Sequence, residues 1–74
     1  MKELETVVLT RSIPEYGLVA GDLGAIVAVY DEGKAFEVEF IESDGRTIAV
    51  LTLDACDVRA RKSGEILHAR QLSG

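Results

Sequence analysis

Few groups in this chain could do chemistry. There is one histidine, His68, one cysteine, Cys56, and 13 Asp and Glu residues. A zinc centre is built from three or four Cys, His or carboxylate ligands, and one Cys with one His falls short of it. His68 has no carboxylate at a spacing that would orient it, so it reads as a solvated side chain rather than a general base. Cys56 lies between Asp54 and Asp57. Acidic neighbours disfavour the thiolate, so it reads as a small, half-buried turn residue. A single cysteine forms no intramolecular disulfide, and the fold must stand without that staple.

The carboxylates offer more. Glu37 and Glu39, with Glu42 beyond them, fall along one face of an alternating segment. A glycosidase pairs two carboxylates in a cleft and raises the pKa of one by burial. A strand face open to water supplies no such burial, so a solvated face is the stronger reading. Asp31-Glu32-Gly33 and Glu42-Ser43-Asp44-Gly45 lack the 12-residue ligand spacing of a calcium loop. Gly21-Asp22-Leu23-Gly24 lacks the Lys-Ser/Thr ending of a phosphate loop, and no helix follows it. Its glycines allow a tight turn, and Asp22 is placed to accept from local backbone N–H groups. No catalytic set survives, so neither an enzyme nor a cofactor nor a metal is expected.

The elements that would position these residues are short β-type runs separated by turns. Thr6–Leu9 is the first and is rich in β-branched residues. Residues 10–22 form a long connection with Pro14, Gly17 and Gly21, expected to pack on itself through Ile13, Tyr16 and Leu18. Leu23–Tyr30 is the second strand, followed by a turn at residues 31–34. Ala35–Ile41 alternates cleanly, with Phe36, Val38 and Phe40 on one face. Asp44-Gly45 marks a hairpin. The fourth strand spans Arg46–Leu53, residues 54–57 form a turn with 3₁₀ character, and Val58–Arg61 is the fifth strand. Strand, long loop, strand, hairpin, strand, hairpin, strand, helical turn, strand is the layout of a small SH3-like barrel. The chain divides into an all-β, five-stranded SH3-like domain over residues 1–61 and a tail over 62–74. The tail is expected either frayed or as a short docked helix capped by Ser63.

Two strands carry more apolar character than one barrel face can hide. Ala25–Tyr30 and Ile48–Leu53 do not alternate, and runs of that kind usually signal burial on both sides. If Ile26, Ala28 and Tyr30 face inward, Val27 and Val29 face outward. If Ile48 and Val50 face inward, Ala49 and Leu51 face outward. A slip of one residue reverses either assignment. On this register Val27, Val29, Ala49 and Leu51 form an apolar patch rimmed by Glu37 and Glu39. The long loop, the tail, a second copy or a different partner must cover that patch.

Composition limits the partner. At 74 residues with 47% apolar and 28% charged composition, the chain affords one small core, no second domain and no cleft between domains. Net charge is -5. Residues 1–58 carry 4 basic against 12 acidic side chains, a net -8, whereas residues 59–74 carry 4 basic against 1 acidic. An acidic body disfavours nucleic acid, whose phosphates call for Lys and Arg. It suits a basic protein, although acidic charge also simply maintains solubility. No apolar run spans a membrane and the N-terminus has no signal-peptide core, so a cytoplasmic location is expected.

The stretch Leu9–Tyr30, with Pro14-Glu15 and Gly21-Asp22-Leu23-Gly24, is distinctive. With Phe36–Phe40, Asp44-Gly45 and Thr47–Leu53, it closely resembles a family of small bacterial proteins of unknown function, numbered 4926 among such domains. The resemblance covers residues 3–61, leaves the tail from Lys62 outside, and implies no activity. A weaker likeness, carried by Thr10-Arg11, Pro14, Tyr16, Gly21 and Gly24, is to the SH3-like part of the nitrile hydratase β subunit. That likeness implies a companion role at most, since the metal ligands there reside on the other subunit. The function expected is a non-catalytic module that docks a protein partner. That partner is a second copy, or a basic protein masked in the manner of an antitoxin or immunity protein. The alternative is a nucleic-acid-associated barrel of the transcription or translation type, which the charge opposes.

Overall fold

The computed structural model describes residues 1–72. Five strands form: β1 Thr6–Leu9, β2 Leu23–Tyr30, β3 Ala35–Ile41, β4 Thr47–Asp54 and β5 Val58–Ala60. The only helical segments among the described residues are three-residue 3₁₀ turns. None is long and apolar enough to cross a membrane. The strands make one antiparallel sheet in the order β4-β3-β2-β1-β5, so the chain is all-β. β4 and β5 are joined by the 3₁₀ turn Ala55–Asp57 rather than by a ladder. Val7, Leu9, Ile26, Phe36, Leu53 and Val58 belong to one core cluster. Side chains from both ends of the sheet therefore meet, and the sheet wraps around a single core.

The long connection packs on itself as its apolar residues require. Ile13 and Leu18 are buried and bridge to each other, with Ile13 N–H donating to the Leu18 carbonyl at 2.9 Å. Tyr16 departs from expectation: it stays exposed at the end of the 3₁₀ turn Pro14–Tyr16. The connection is tied to the turn before β5. Thr10 Oγ1 donates to the Cys56 carbonyl at 2.8 Å, and the Arg11 guanidinium donates to Asp57 Oδ1 at 2.8 Å. Asp57 in turn closes a capping box with Asp54. Cys56 is exposed, not half-buried, because its neighbours Ala55 and Val58 fill the inner side of the turn.

The two anomalous strands resolve by bulges. β2 and β3 pair Ile26 with Val38 and then Ala28 with Glu37, so Val27 is an extra residue opposite nothing. A bulge reverses the parity of everything after it. Ile26 faces the core before the bulge and Val29, paired with Phe36, packs against the core after it. Ala25, Val27, Ala28 and Tyr30 lie on the other face. A second irregularity, between Phe40 and Ile41, skips Ile48. Thereafter Ala49, Leu51 and Leu53 pair with Phe40, Val38 and Phe36 on the core side. The expectation that Val29, Ala49 and Leu51 face outward is therefore corrected. Val27 alone of the four apolar residues proposed for partner contact is exposed, with Val50 in the place of Leu51.

Gly24 has a packing role as well as a place after the turn. It sits in β2 against the largest side chains of the core, and a Cβ there would lie 2.5 Å from Val38 Cγ1 and 2.9 Å from Phe40 Cε1. Gly24→Ala is expected to cost about 1–3 kcal/mol in urea unfolding, through forced displacement of β3. The face assignment has its own check. Val29→Lys or Leu51→Lys should each cost about 2 kcal/mol or more by setting an ammonium against the core. Val27→Lys and Val50→Lys should remain within about 0.5 kcal/mol of the parent.

Candidate functional site

The outer face of β2, β3 and β4 gathers Glu37 and Glu39 with hydroxyls and small apolar side chains. Register places them in cross-strand rows: Ala25, Glu39 and Val50; then Ala28, Glu37 and Thr52; then Tyr30, Ala35 and Asp54. Alternation along β3 forces this, because Phe36, Val38 and Phe40 take the core side. The Glu37 carboxylate accepts from Tyr30 Oη at 3.1 Å and from Thr52 Oγ1 at 3.1 Å. Glu39 accepts from Thr47 Oγ1 at 2.9 Å. The hydrogen bond to Glu37, reinforced by its negative charge, raises the Tyr30 hydroxyl above its ordinary pKa.

Both glutamates are half-buried yet have no cationic partner among the described residues. Arg11, Arg46, Arg59 and Arg70 are all held by carboxylates elsewhere. The face thus presents two half-buried carboxylates between apolar side chains, with Val27, Tyr30 and Val50 exposed around it. Hydroxyls orient the carboxylates without neutralising them. Neither of the two clefts along the tail includes them. The arrangement is suited to charge recognition.

A second region was not legible in the sequence. Up to Leu72 the tail forms no helix; it runs without regular structure along the body and makes two ion pairs with it. Arg70 donates to Asp22 at 2.8 and 2.6 Å and to the Gly17 carbonyl at 2.8 Å. Arg59 grips Glu65 through two bonds of 3.0 and 2.6 Å. The tail thereby covers part of the second face: Val8, buried although it points away from the core cluster, and Leu23 line a shallow cleft with Ile66, Leu67 and His68. A wider cleft of about 400 Å³ lies between the tail, the long connection and the β3–β4 hairpin, with His68, Asp22 and Glu42 on its wall. The described residues contain no cluster of three or more His, Cys, Asp or Glu able to hold a metal.

The family model described as Domain of unknown function (DUF4926) matches residues 3–60. The chain belongs to the DUF4926 family. No curated protein and no solved structure matches it. The DUF4926 match takes in all five strands and stops at the last residue of β5, so the strap that crosses Val8 and Leu23 lies beyond it.

The strap has a definite pH response. Hydrogen bonds from Arg70 pull Asp22 below its ordinary value, outweighing a smaller opposing effect of burial and assisted by the Val19 N–H. Hydrogen bonds from Arg59 and from the Lys62 backbone hold Glu65 down to about 2. Both carboxylates titrate lower when the strap is docked. Docking is therefore fully supported above their ordinary values of 3.8 and 4.5 and is lost as pH falls from there toward about 2. Backbone ¹⁵N order parameters of residues 65–71 should fall over that window and hold constant from pH 5 to 8. Arg70→Ala should lower the order parameters of residues 66–72 at neutral pH while leaving those of β3 unchanged.

Proposed function

We propose that this DUF4926 protein is a non-catalytic interaction module whose acidic outer face masks a basic protein, as an antitoxin or immunity protein does. One observation carries this reading: Glu37 and Glu39 sit half-buried among exposed apolar side chains with no cationic partner among the described residues, while Arg11, Arg46, Arg59 and Arg70 are engaged elsewhere. Partly desolvated carboxylates gain most from a cation that arrives with its own apolar surroundings. The order of strands, with a 3₁₀ turn before a fifth strand that returns beside the first, supports the SH3-like reading of the fold. The same negative face opposes a nucleic-acid role.

The test is affinity purification of the full chain from its native cell beside the double variant Glu37→Lys/Glu39→Lys. The expected outcome is a basic protein retained by the parent and lost by the variant at matched thermal stability. Retention of the same proteins by both chains, or retention of nucleic acid by the parent, contradicts the reading.

A further inference from the structure

The sheet has two edges, and they are treated differently. β5 is three residues long and carries Arg59, clamped to Glu65. Short length and charge are the usual guards of an edge. β4 is eight residues long, with no Lys or Pro, and Thr47–Leu53 is uncharged throughout. Its one irregularity falls at Ile48, near its start. It pairs only with β3, and among the described residues no turn, loop or side-chain hydrogen bond reaches the backbone of Ile48–Leu53 from the other side. A row of free N–H and C=O groups is therefore presented to solvent, the template that an extended segment completes in β-strand addition.

The surroundings of this edge specify its occupant. Glu37 and Glu39 lie one strand in from it, and only Thr52 and Val50 stand between. Neighbouring strands are about 4.8 Å apart, so an added strand would run about 10 Å from β3. Long cationic side chains leaning back over Thr52 and Val50 can close that gap onto carboxylates that already accept from hydroxyls of β4, Glu37 from Thr52 and Glu39 from Thr47. Glu37 and Glu39 are two residues apart, which matches Lys or Arg at alternate positions of the incoming strand. The positions between would fall on the inner side, beside Leu51 and Leu53, and call for apolar side chains. A second copy of this chain fits poorly: pairing β4 with β4 would bring Glu37, Glu39 and Asp54 of both copies onto one continuous face.

We propose, building on the basic-partner reading above, that the free edge of β4 takes an added strand from that partner, alternating basic and apolar residues, with its basic side chains paired to Glu37 and Glu39.

The probe is a capped peptide of seven residues alternating Val and Lys, bound to the full chain and followed by fluorescence anisotropy. Two versions are N-methylated, one on every Val amide and one on every Lys amide, with all charges kept. Only one set of amides points at β4 in an added strand. The expected result is that one methylated version binds at least about tenfold more weakly and the other binds like the parent. Bound parent peptide should also slow amide exchange within Ile48–Leu53, and Glu37→Gln/Glu39→Gln should weaken it.

If both methylated versions match the parent while the Glu variant still loses binding, strand addition is overturned and the acidic-face reading survives. Binding that is unchanged in the Glu variant overturns both. A chain that dimerises alone with Ile48–Leu53 protected assigns the edge to a second copy and overturns the proposal.

Discussion

One extra residue in β2 governs this molecule. Without the bulge at Val27, strict alternation after Ile26 would turn Val29 away from Phe36 and bring Ala28 and Tyr30 into the core. The bulge allows both Ile26 and Val29 to point inward, so the strand keeps covering the core on either side of it. It also decides the outer face. Ala28 and Tyr30 are delivered to the same side as Glu37, and Tyr30 donates its hydroxyl to that carboxylate. Gly24 completes the constraint upstream, since only a residue without Cβ admits Val38 and Phe40 so closely. The packing of the core and the chemistry of the surface thus share one cause.

Charge is distributed by the same economy. Two of the four basic residues after Val58 are spent inside the molecule, with Arg59 on Glu65 and Arg70 on Asp22. The strap they hold buries little apolar surface of its own, for Ile66 is 92% exposed and Leu67 61% exposed. Its docking is electrostatic, and it shields Val8 and Leu23 from water. The remaining carboxylates of the sheet are left without cations. An acidic sequence with a basic end becomes a folded body whose open sheet face is more uniformly negative than its net charge of -5 implies.

The elements were legible to within a residue or so. Thr6–Leu9, Leu23–Tyr30 and Ala35–Ile41 follow from β-branched runs and turn residues, and β3 could be oriented because Phe36-Glu-Val-Glu-Phe40 alternates without ambiguity. Glu37 and Glu39 were placed on the outer face for that reason. The facing of Val29, Ala49 and Leu51 was not legible. A period-two reading has no means of locating an inserted residue, and in Ala25–Tyr30 every candidate for insertion is apolar. The excess apolar content that suggested a second face in need of cover is partly absorbed by the two bulges, which turn Val29, Ala49 and Leu51 toward the core. The tail was among the candidates to cover the sheet, but the contact that holds it was not legible because Arg70 and Asp22 lie 48 residues apart and share no local pattern. The asymmetry between acidic body and basic end was its one trace. Tyr30, Thr47 and Thr52 were missed as partners of the glutamates because their roles depend on cross-strand register.

The central claim is that recognition takes place on the β2–β4 face around Glu37 and Glu39. Backbone amide shifts during titration of the isotope-labelled chain with the basic protein that it retains test this most directly. The account predicts saturable, salt-sensitive shifts centred on Val27, Ala28, Glu37, Glu39, Val50 and Thr52, with Phe36 and Val38 following weakly through the sheet. Shifts confined to Asp22, His68 and Arg70 around the strap, with the β3 face unmoved, would contradict it.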